Sequence, residues 1–355
     1  MNTVHVIVPD SIDDPTRPSG GNRYDRRICD ELAACGWSVR EHAVAGNWPT
    51  PDSAARSALA TVLTALADGA VVLIDGLIAS ASRELPSFAQ RLCLVVLVHM
   101  PLAQGAEDRA ETRAVERAAL SAATAIVTTS IWTKGWLTDH YALEPDRIHV
   151  VEPGTDAAEL APATNNGGEL LCVASVTPVK GHDVLVAALS TLNNLPWSCV
   201  CAGTVDRDPG FVDRLRCDAG DGGIGHRLRF VGVRTGTGLE ATYAAADLVV
   251  VCSRAETYGM VVTEALSRGI PVVAAAVGGV PEALGFGADL VRPGILVSPD
   301  DPRALAAALR RWLCEAELRR RLRRAARQRR ENLPSWAIPA SRLSDILTVV
   351  AATCR

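Results

Sequence analysis

Short runs of almost unbroken apolar residues recur along the chain: 4–9 (VHVIVP), 70–75 (AVVLID), 93–98 (CLVVLV), 125–129 (AIVTT), 169–174 (ELLCVA), 198–202 (SCVCA), 247–252 (DLVVVC) and 271–275 (PVVAA). A strand with one face in water alternates apolar and polar residues; these runs do not, so both faces must be covered. The segments between them are long enough for crossover helices, and a repeated strand, helix, strand order builds parallel sheets. The runs fall into two sets, separated at 150–169 by Pro153, Gly154, Pro162 and an Asn-Asn-Gly-Gly cluster that interrupt regular structure. With 355 residues the chain can bury two cores. The expectation is an α/β protein of two Rossmann-like domains, 1–155 and 156–334, with a linker at about 153–168. Beyond Pro334 a further helix begins, with Ile338, Leu343, Ile346, Leu347 and Val350 on an apolar face that needs cover.

Composition narrows the function. Apolar residues at 48% and charged residues at 21% are globular proportions. A net charge of −4 excludes an overall cationic field, so no nucleic-acid partner is expected. The start, MNTVHVIVPD, reads as a strand without a cationic leader, and no run approaches the roughly 18 apolar residues of a membrane span. A cytoplasmic protein is expected. The close pair Cys199 and Cys201 lies inside a strand-like run with no second pair or histidine at ligand spacing. The cysteines therefore read as reduced core thiols.

In open parallel sheets ligands sit beyond the carboxyl ends of the strands, where helix N-termini converge. After 247–252 comes Ser253-Arg254-Ala255-Glu256-Thr257-Tyr258-Gly259-Met260, and a helix starting near Gly259 would bury Val261, Val262, Ala265 and Leu266 before ending at Gly269. Its unpaired N–H groups and positive dipole end suit a diphosphate, which Gly259 lets approach the backbone. Glu256 lies in the loop above that seat and Glu264 a turn inside the helix, both suited to hydroxyl-rich groups.

Two glutamates with this separation, followed by Ala265-Leu266, Gly269-Ile270-Pro271-Val272-Val273 and Gly278-Gly279-Val280-Pro281-Glu282, resemble the donor site of glycosyltransferase family 4. The resemblance implies a GT-B fold, with the two parallel sheets facing a central cleft and the C-terminal segment 335–355 joining the first domain. It further implies a retaining glycosyltransferase that uses a nucleoside-diphosphate sugar as co-substrate, without cofactor or metal. Glu256 would contact the transferring sugar, Glu264 the ribose, and the Met260 and Val261 N–H groups the diphosphate. Lys180, in Val173-Ala174-Ser175-Val176-Thr177-Pro178-Val179-Lys180-Gly181, resembles the lysine that neutralises that diphosphate. Ser175 stands where the family usually has arginine. Arg254 and Arg23 are the cations that could compensate.

In the first half, Gly20 and Gly21 follow the first run and resemble a Gly-Gly pair that faces the cleft; Tyr24, Ile28, Leu32 and Cys35 mark one helical face after them. His99, before Pro101, stands where related transferases place a histidine near the donor sugar. Asp75 ends the second run and is either an acceptor contact or a turn cap, and Arg23 is the second acceptor-side candidate. The acceptor itself, whether small molecule, glycan or lipid-linked, is not identified. Asp206-Arg207-Asp208 has the spacing of a metal-binding pair but sits in a Pro-Gly loop and reads as a solvated turn. The run LRRRLRRAARQRR (318–330) reads as a solvated helix, or as a peripheral contact with the inner membrane face. Rival functions are a GT-B phosphorylase, a nucleotide-sugar epimerase and a noncatalytic nucleotide-sugar sensor. Acceptor-dependent release of nucleoside diphosphate separates transfer from the first two, and binding without turnover across many acceptors would mark the sensor.

Overall fold

Each set of apolar runs closes into one parallel sheet. The computed structural model describes residues 2–104 and 109–354. Its first sheet contains β1 (Thr3–Pro9), β2 (Ser38–Val44), β3 (Val71–Asp75), β4 (Cys93–Val98), β5 (Ala125–Thr128) and β6 (Ile148–Val150), in the order β2-β1-β3-β4-β5-β6. The second contains β7 (Glu169–Val173), β8 (Ser198–Ala202), β9 (Leu228–Phe230), β10 (Leu248–Val251), β11 (Val272–Ala275) and β12 (Gly294–Val297), in the order β12-β11-β10-β7-β8-β9. All the expected runs are strands. The strands absent from that expectation, β2, β6, β9 and β12, are the four sheet edges. An edge strand meets water along one side and tolerates polar residues, as Arg40 and Glu41 in β2 show, so it does not read as a continuous apolar run.

The chain divides into two compact units: Met1–Gly154 with Pro334–Arg355 (unit 1), and Thr155–Leu333 (unit 2). In unit 2 alternate strand residues supply two cores. Leu170, Cys172, Cys199 and Val250 pack with the helices His182–Ser190, Pro209–Asp221 and Pro302–Cys314. Leu171, Val249 and Val251 face the other way, towards the helices Met260–Ser267 and Val280–Leu284. This is the double coverage that uniformly apolar strands require. Cys172, Cys199, Cys201 and Cys252 are buried free thiols within unit 2.

The helix Ala337–Thr353 packs on β3, β4 and the helix Gly20–Ala34, all in unit 1. Its buried face is Ala340, Leu343, Leu347 and Val350; Ile346 is half-buried, and Ile338 falls outside the stripe at 46% exposure. Trp336, just ahead of the helix, is buried with its ring edge-on to Tyr24, and Trp37 donates to Ser344 Oγ at 2.9 Å. Cys35 likewise leaves the face expected for it, being an exposed residue at the helix C-terminus.

The arginine-rich helix Ala316–Arg330 buries Leu318, Leu322, Ala325 and Ala326. Arg319 donates to the Trp312 and Leu313 carbonyls, Arg323 to the buried Asp247 at 2.9 Å, and Arg330 to the Ala158 carbonyl. Much of its charge therefore caps backbone within unit 2, while Arg320, Arg321, Arg324 and Arg327 are exposed. Among the described residues no helix is long and apolar enough to cross a membrane. Asp208 accepts from Phe211 N–H at 2.9 Å and caps the helix Pro209–Asp221.

Trp336→Ala should destabilise unit 1 by about 3–5 kcal/mol, the usual range for truncating a buried tryptophan. A shift of the urea midpoint measures it; an unchanged midpoint would mean that this ring does not anchor the C-terminal helix.

Candidate functional site

Both sheets reverse their strand order beside the first strand of the unit, between β1 and β3 and between β7 and β10. At such a reversal the following connections leave to opposite sides and open a crevice beyond the carboxyl ends. The residues singled out in the sequence cluster at these two places.

In unit 2 the chain leaves β7 through half-buried Ser175 and makes a short turn, Pro178–Lys180. Gly181 then takes φ +68°, and a Cβ there would overlap the carbonyl oxygen of Cys252, just past β10. The close approach lets Arg254 N–H donate to the Val179 carbonyl at 2.8 Å. Loops separated widely in sequence are thereby stitched together, and Lys180 Nζ lies 2.5 Å from Glu256 Oε1. Ser253 Oγ, buried, donates to the same carboxylate oxygen at 2.8 Å. Glu256 is held from the far side too: Gly278 has φ +52° because a side chain would collide with the Glu256 carbonyl, and Gly279 N–H donates to that carbonyl at 3.3 Å.

Gly259, at φ +93°, turns the chain into the helix Met260–Ser267. Helix geometry leaves the first N–H groups without intrahelical carbonyls; that of Val262 is bonded to the Gly259 carbonyl, while those of Met260 and Val261 head the helix. An ammonium and a carboxylate therefore meet in the loop that leads, four residues on from Glu256, into a positive helix end. Glu264, one turn inside, accepts from the phenol of buried Tyr243 at 2.8 Å.

Arg254 requires a correction. It is not a spare cation: its guanidinium pairs with Asp183 at 2.7 Å and Asp300 at 2.6 Å and donates to the Pro178 carbonyl. Those partners raise its pKa, and its charge is spent on fixing the turn that carries Lys180.

In unit 1, Ser19 Oγ accepts from Asn22 N–H at 3.0 Å and caps the helix Gly20–Ala34, so Gly20 and Gly21 form its first turn rather than a preceding loop. A Cβ on Gly21 would lie 3.2 Å from the His99 ring. Arg23 is half-buried on the same turn. His99 Nε2 is 2.7 Å from Asp25 Oδ1 and 3.8 Å from Asp75 Oδ2. Asp75 Oδ1 accepts from Leu77 N–H at 2.6 Å, and its side chain is only 1% exposed. The structure thus realises the turn cap.

Asp25 is the residue missed in the sequence. Its signal was an acid at 25 on the face marked by Ile28 and Leu32, the buried side of an amphipathic helix. Burial pushes the Asp25 carboxyl up to about 7 and Asp75 well above the carboxylate range. Burial lowers His99, partly opposed by Asp75. No metal cluster was expected here, yet one ligand atom from each of Asp25, Asp75 and His99 lies within 4.8 Å of the others.

Residues 161–329 match the family described as glycosyl transferases group 1. A D-inositol 3-phosphate glycosyltransferase of Salinispora tropica is 34% identical over 248 residues, covering 60% of this chain and 48% of that protein. The Corynebacterium glutamicum protein of that name is 34% identical over 230 residues, covering 59% and 53%. The chain spans about half the length of the curated relatives it matches. A sucrose-phosphate synthase from Thermosynechococcus elongatus superposes with TM-score 0.78 at 22% identity, over 99% of this chain and 100% of that one. Anabaena HepE, solved with UDP and glucose, gives TM-score 0.78 at 17% identity over 98% and 100%. These likenesses show the fold: α/β of the GT-B type, as the two six-stranded parallel sheets require.

Gly181→Ala should lower the stability of unit 2 by at least about 1–2 kcal/mol, the cost of a left-handed conformation alone. Gly220→Ala, where a methyl would meet open space, should be neutral or stabilising. Thermal melts of the two variants check the pair; equal midpoints would contradict the tight docking of the Lys180 turn.

Proposed function

We propose that the chain is a group 1 glycosyl transferase, as the match over residues 161–329 supports, and that it moves a sugar from a uridine diphosphate donor onto an acceptor hydroxyl, retaining anomeric configuration without a metal. The observation that carries this reading is the contact of Lys180 with Glu256 at the β7/β10 reversal, in the loop that runs into the N-terminus of the helix Met260–Ser267. HepE, solved with UDP and with UDP-glucose, supports the choice of base.

In this reading the diphosphate takes the ammonium of Lys180 and the N–H groups of Met260 and Val261, competing with Glu256 for the cation. Gly259 lets it come close, and Ser175 lines the turn below. Glu256, still held by Ser253 and Gly279, then receives hydroxyls of the transferring sugar. Glu264, oriented by Tyr243, receives those of the ribose. Arg254 acts by fixing the Lys180 turn. In unit 1, Gly20 and Gly21 let His99 lie against the helix start, where its ring meets a substrate hydroxyl; Arg23 belongs to the acceptor side.

The chemical step forms a bond from the acceptor oxygen to the anomeric carbon on the face from which the bond to the diphosphate oxygen breaks. The acceptor proton passes to that leaving oxygen. Negative charge grows on the diphosphate, and Lys180 with the helix end stabilises it in place of a metal ion. The acceptor is left as a hydroxyl compound; D-inositol 3-phosphate, named for the curated relatives, belongs in the first screen.

Lys180→Ala should weaken UDP binding by about 10- to 100-fold, as loss of a charge-assisted contact implies. Calorimetric titration measures this, and unchanged affinity would sink the placement of the diphosphate. Turnover should persist in EDTA and release UDP only when acceptor is present; a requirement for restored Mg²⁺ or Mn²⁺ would refute metal independence. NMR of the product should show the donor's anomeric configuration, and inversion would refute retention. Stoichiometric UDP binding without turnover across donors and acceptors would favour a sensor.

A further inference from the structure

We infer that Asp25 is a positioning residue for His99: it holds the imidazole as the Nε2–H tautomer, a single proton shared with Asp75 lets the two buried carboxyls coexist, and Nδ1 is thereby presented as an acceptor for a substrate hydroxyl. The role of Nδ1 rests on the glycosyl-transfer reading; the tautomer and the shared proton do not.

The geometry supports each part. With the shared proton on Asp75, Asp25 is the ionised member of the pair and only accepts across the 2.7 Å contact with His99 Nε2, so Nε2 carries the hydrogen. The other oxygen, Asp25 Oδ2, is buried and has no hydrogen-bond partner among the described residues. The Asp75 carboxyl is a close neighbour, a ligand atom of each acid lying within 4.8 Å of the other, and its Oδ1 is committed to Leu77 N–H. Two buried carboxylates without a donor between them cannot both be charged. A proton on Asp75 Oδ2, donated to Asp25 Oδ2, removes the orphan acceptor and the repulsion together. The raised proton affinity of Asp75 agrees with this.

The ring cannot exchange its two nitrogens freely. Its Cδ2 edge lies against Gly21, and Tyr24 packs edge-on with ring centroids 5.3 Å apart. Tyr24 is itself pinned by donating to the Val151 carbonyl at 3.0 Å. Among the described residues Nδ1 has no protein partner. Since burial opposes a second proton on the ring, Nδ1 remains a lone-pair acceptor. Such an atom takes an O–H donor and disfavours phosphate or carboxylate oxygen, so this point of the site recognises a sugar or acceptor hydroxyl. A metal on the same three side chains fits less well. An ion bonded tetrahedrally to both atoms at about 2.0–2.2 Å would hold nitrogen and oxygen roughly 3.4 Å apart, longer than the separation observed.

The test is nitrogen-15 NMR of the full chain labelled at histidine, at pH 7.5, with His99 assigned by its loss in His99→Asn. The expected signals are a protonated Nε2 and an unprotonated Nδ1. An Nδ1–H tautomer, an imidazolium, or a His99 shift on adding one equivalent of Zn²⁺ that EDTA reverses would overturn the inference. Asp25→Ala should mix the tautomers and lower kcat by about 10- to 100-fold while UDP affinity stays as in wild type, because Lys180 and Glu256 are untouched. Asp25→Glu should restore part of kcat. Wild-type tautomer and kcat in Asp25→Ala would also overturn the proposal, and if that variant does not fold the wild-type spectrum decides. The spectrum needs no turnover: absence of glycosyl transfer with every donor and acceptor would sink the functional reading and leave the tautomer assignment standing.

Discussion

A parallel strand buried on both faces can hold polar side chains only beyond its ends, and this constraint governs the arrangement of both units. β3, β4, β5 and β10 are buried at every position. Asp75 at the last residue of β3, His99 just past β4 and Ser253 just past β10 mark where polarity resumes. Strand-order reversals then choose which of these ends converge, β1 with β3 and β7 with β10. Pairing of the apolar interior and clustering of the chemistry follow from the same hydrogen-bonded ladders, because register fixes both.

Backbone proximity does at the ends what side-chain packing does in the interior. Gly181 and Gly278 lie where any side chain would strike a carbonyl, of Cys252 and Glu256 respectively. They bring three loops close enough for backbone hydrogen bonds, which hold Lys180 and Glu256 in contact without a rigid element beneath either. Arg254 strengthens the same junction by joining the Pro178 carbonyl to Asp183 and Asp300. The Arg254 charge is thus engaged within the junction itself.

Unit 1 solves a different electrostatic problem. Two carboxyls and an imidazole are buried at the end of its sheet, and an uncompensated charge there would cost several kcal/mol. Leu77 N–H, His99 Nε2–H and one shared proton meet that demand. The result is a histidine whose orientation is set from behind, which a surface loop histidine would lack.

How much of this was legible depends on the range of the cause. The eight interior strands were readable because double burial leaves a local mark, a run without polar residues; the edge strands β2, β6 and β9 carry polar residues and leave no such mark, while β12, Gly-Ile-Leu-Val, went unread although it is apolar. Lys180, Glu256, Glu264 and the Gly259 turn were readable from local spacing after a strand. The sequence by itself determined the two-sheet α/β plan and the place of these residues beyond the strand ends, since apolar periodicity and turn chemistry act over a few neighbours. Only the tertiary structure decided that Arg254 is engaged by Asp183 and Asp300, that Asp75 is buried behind His99, and that Asp25 is its partner. Those contacts join residues as far apart as 25 and 99, or 183 and 254, and nothing local in a chain records which distant charge will share its burial.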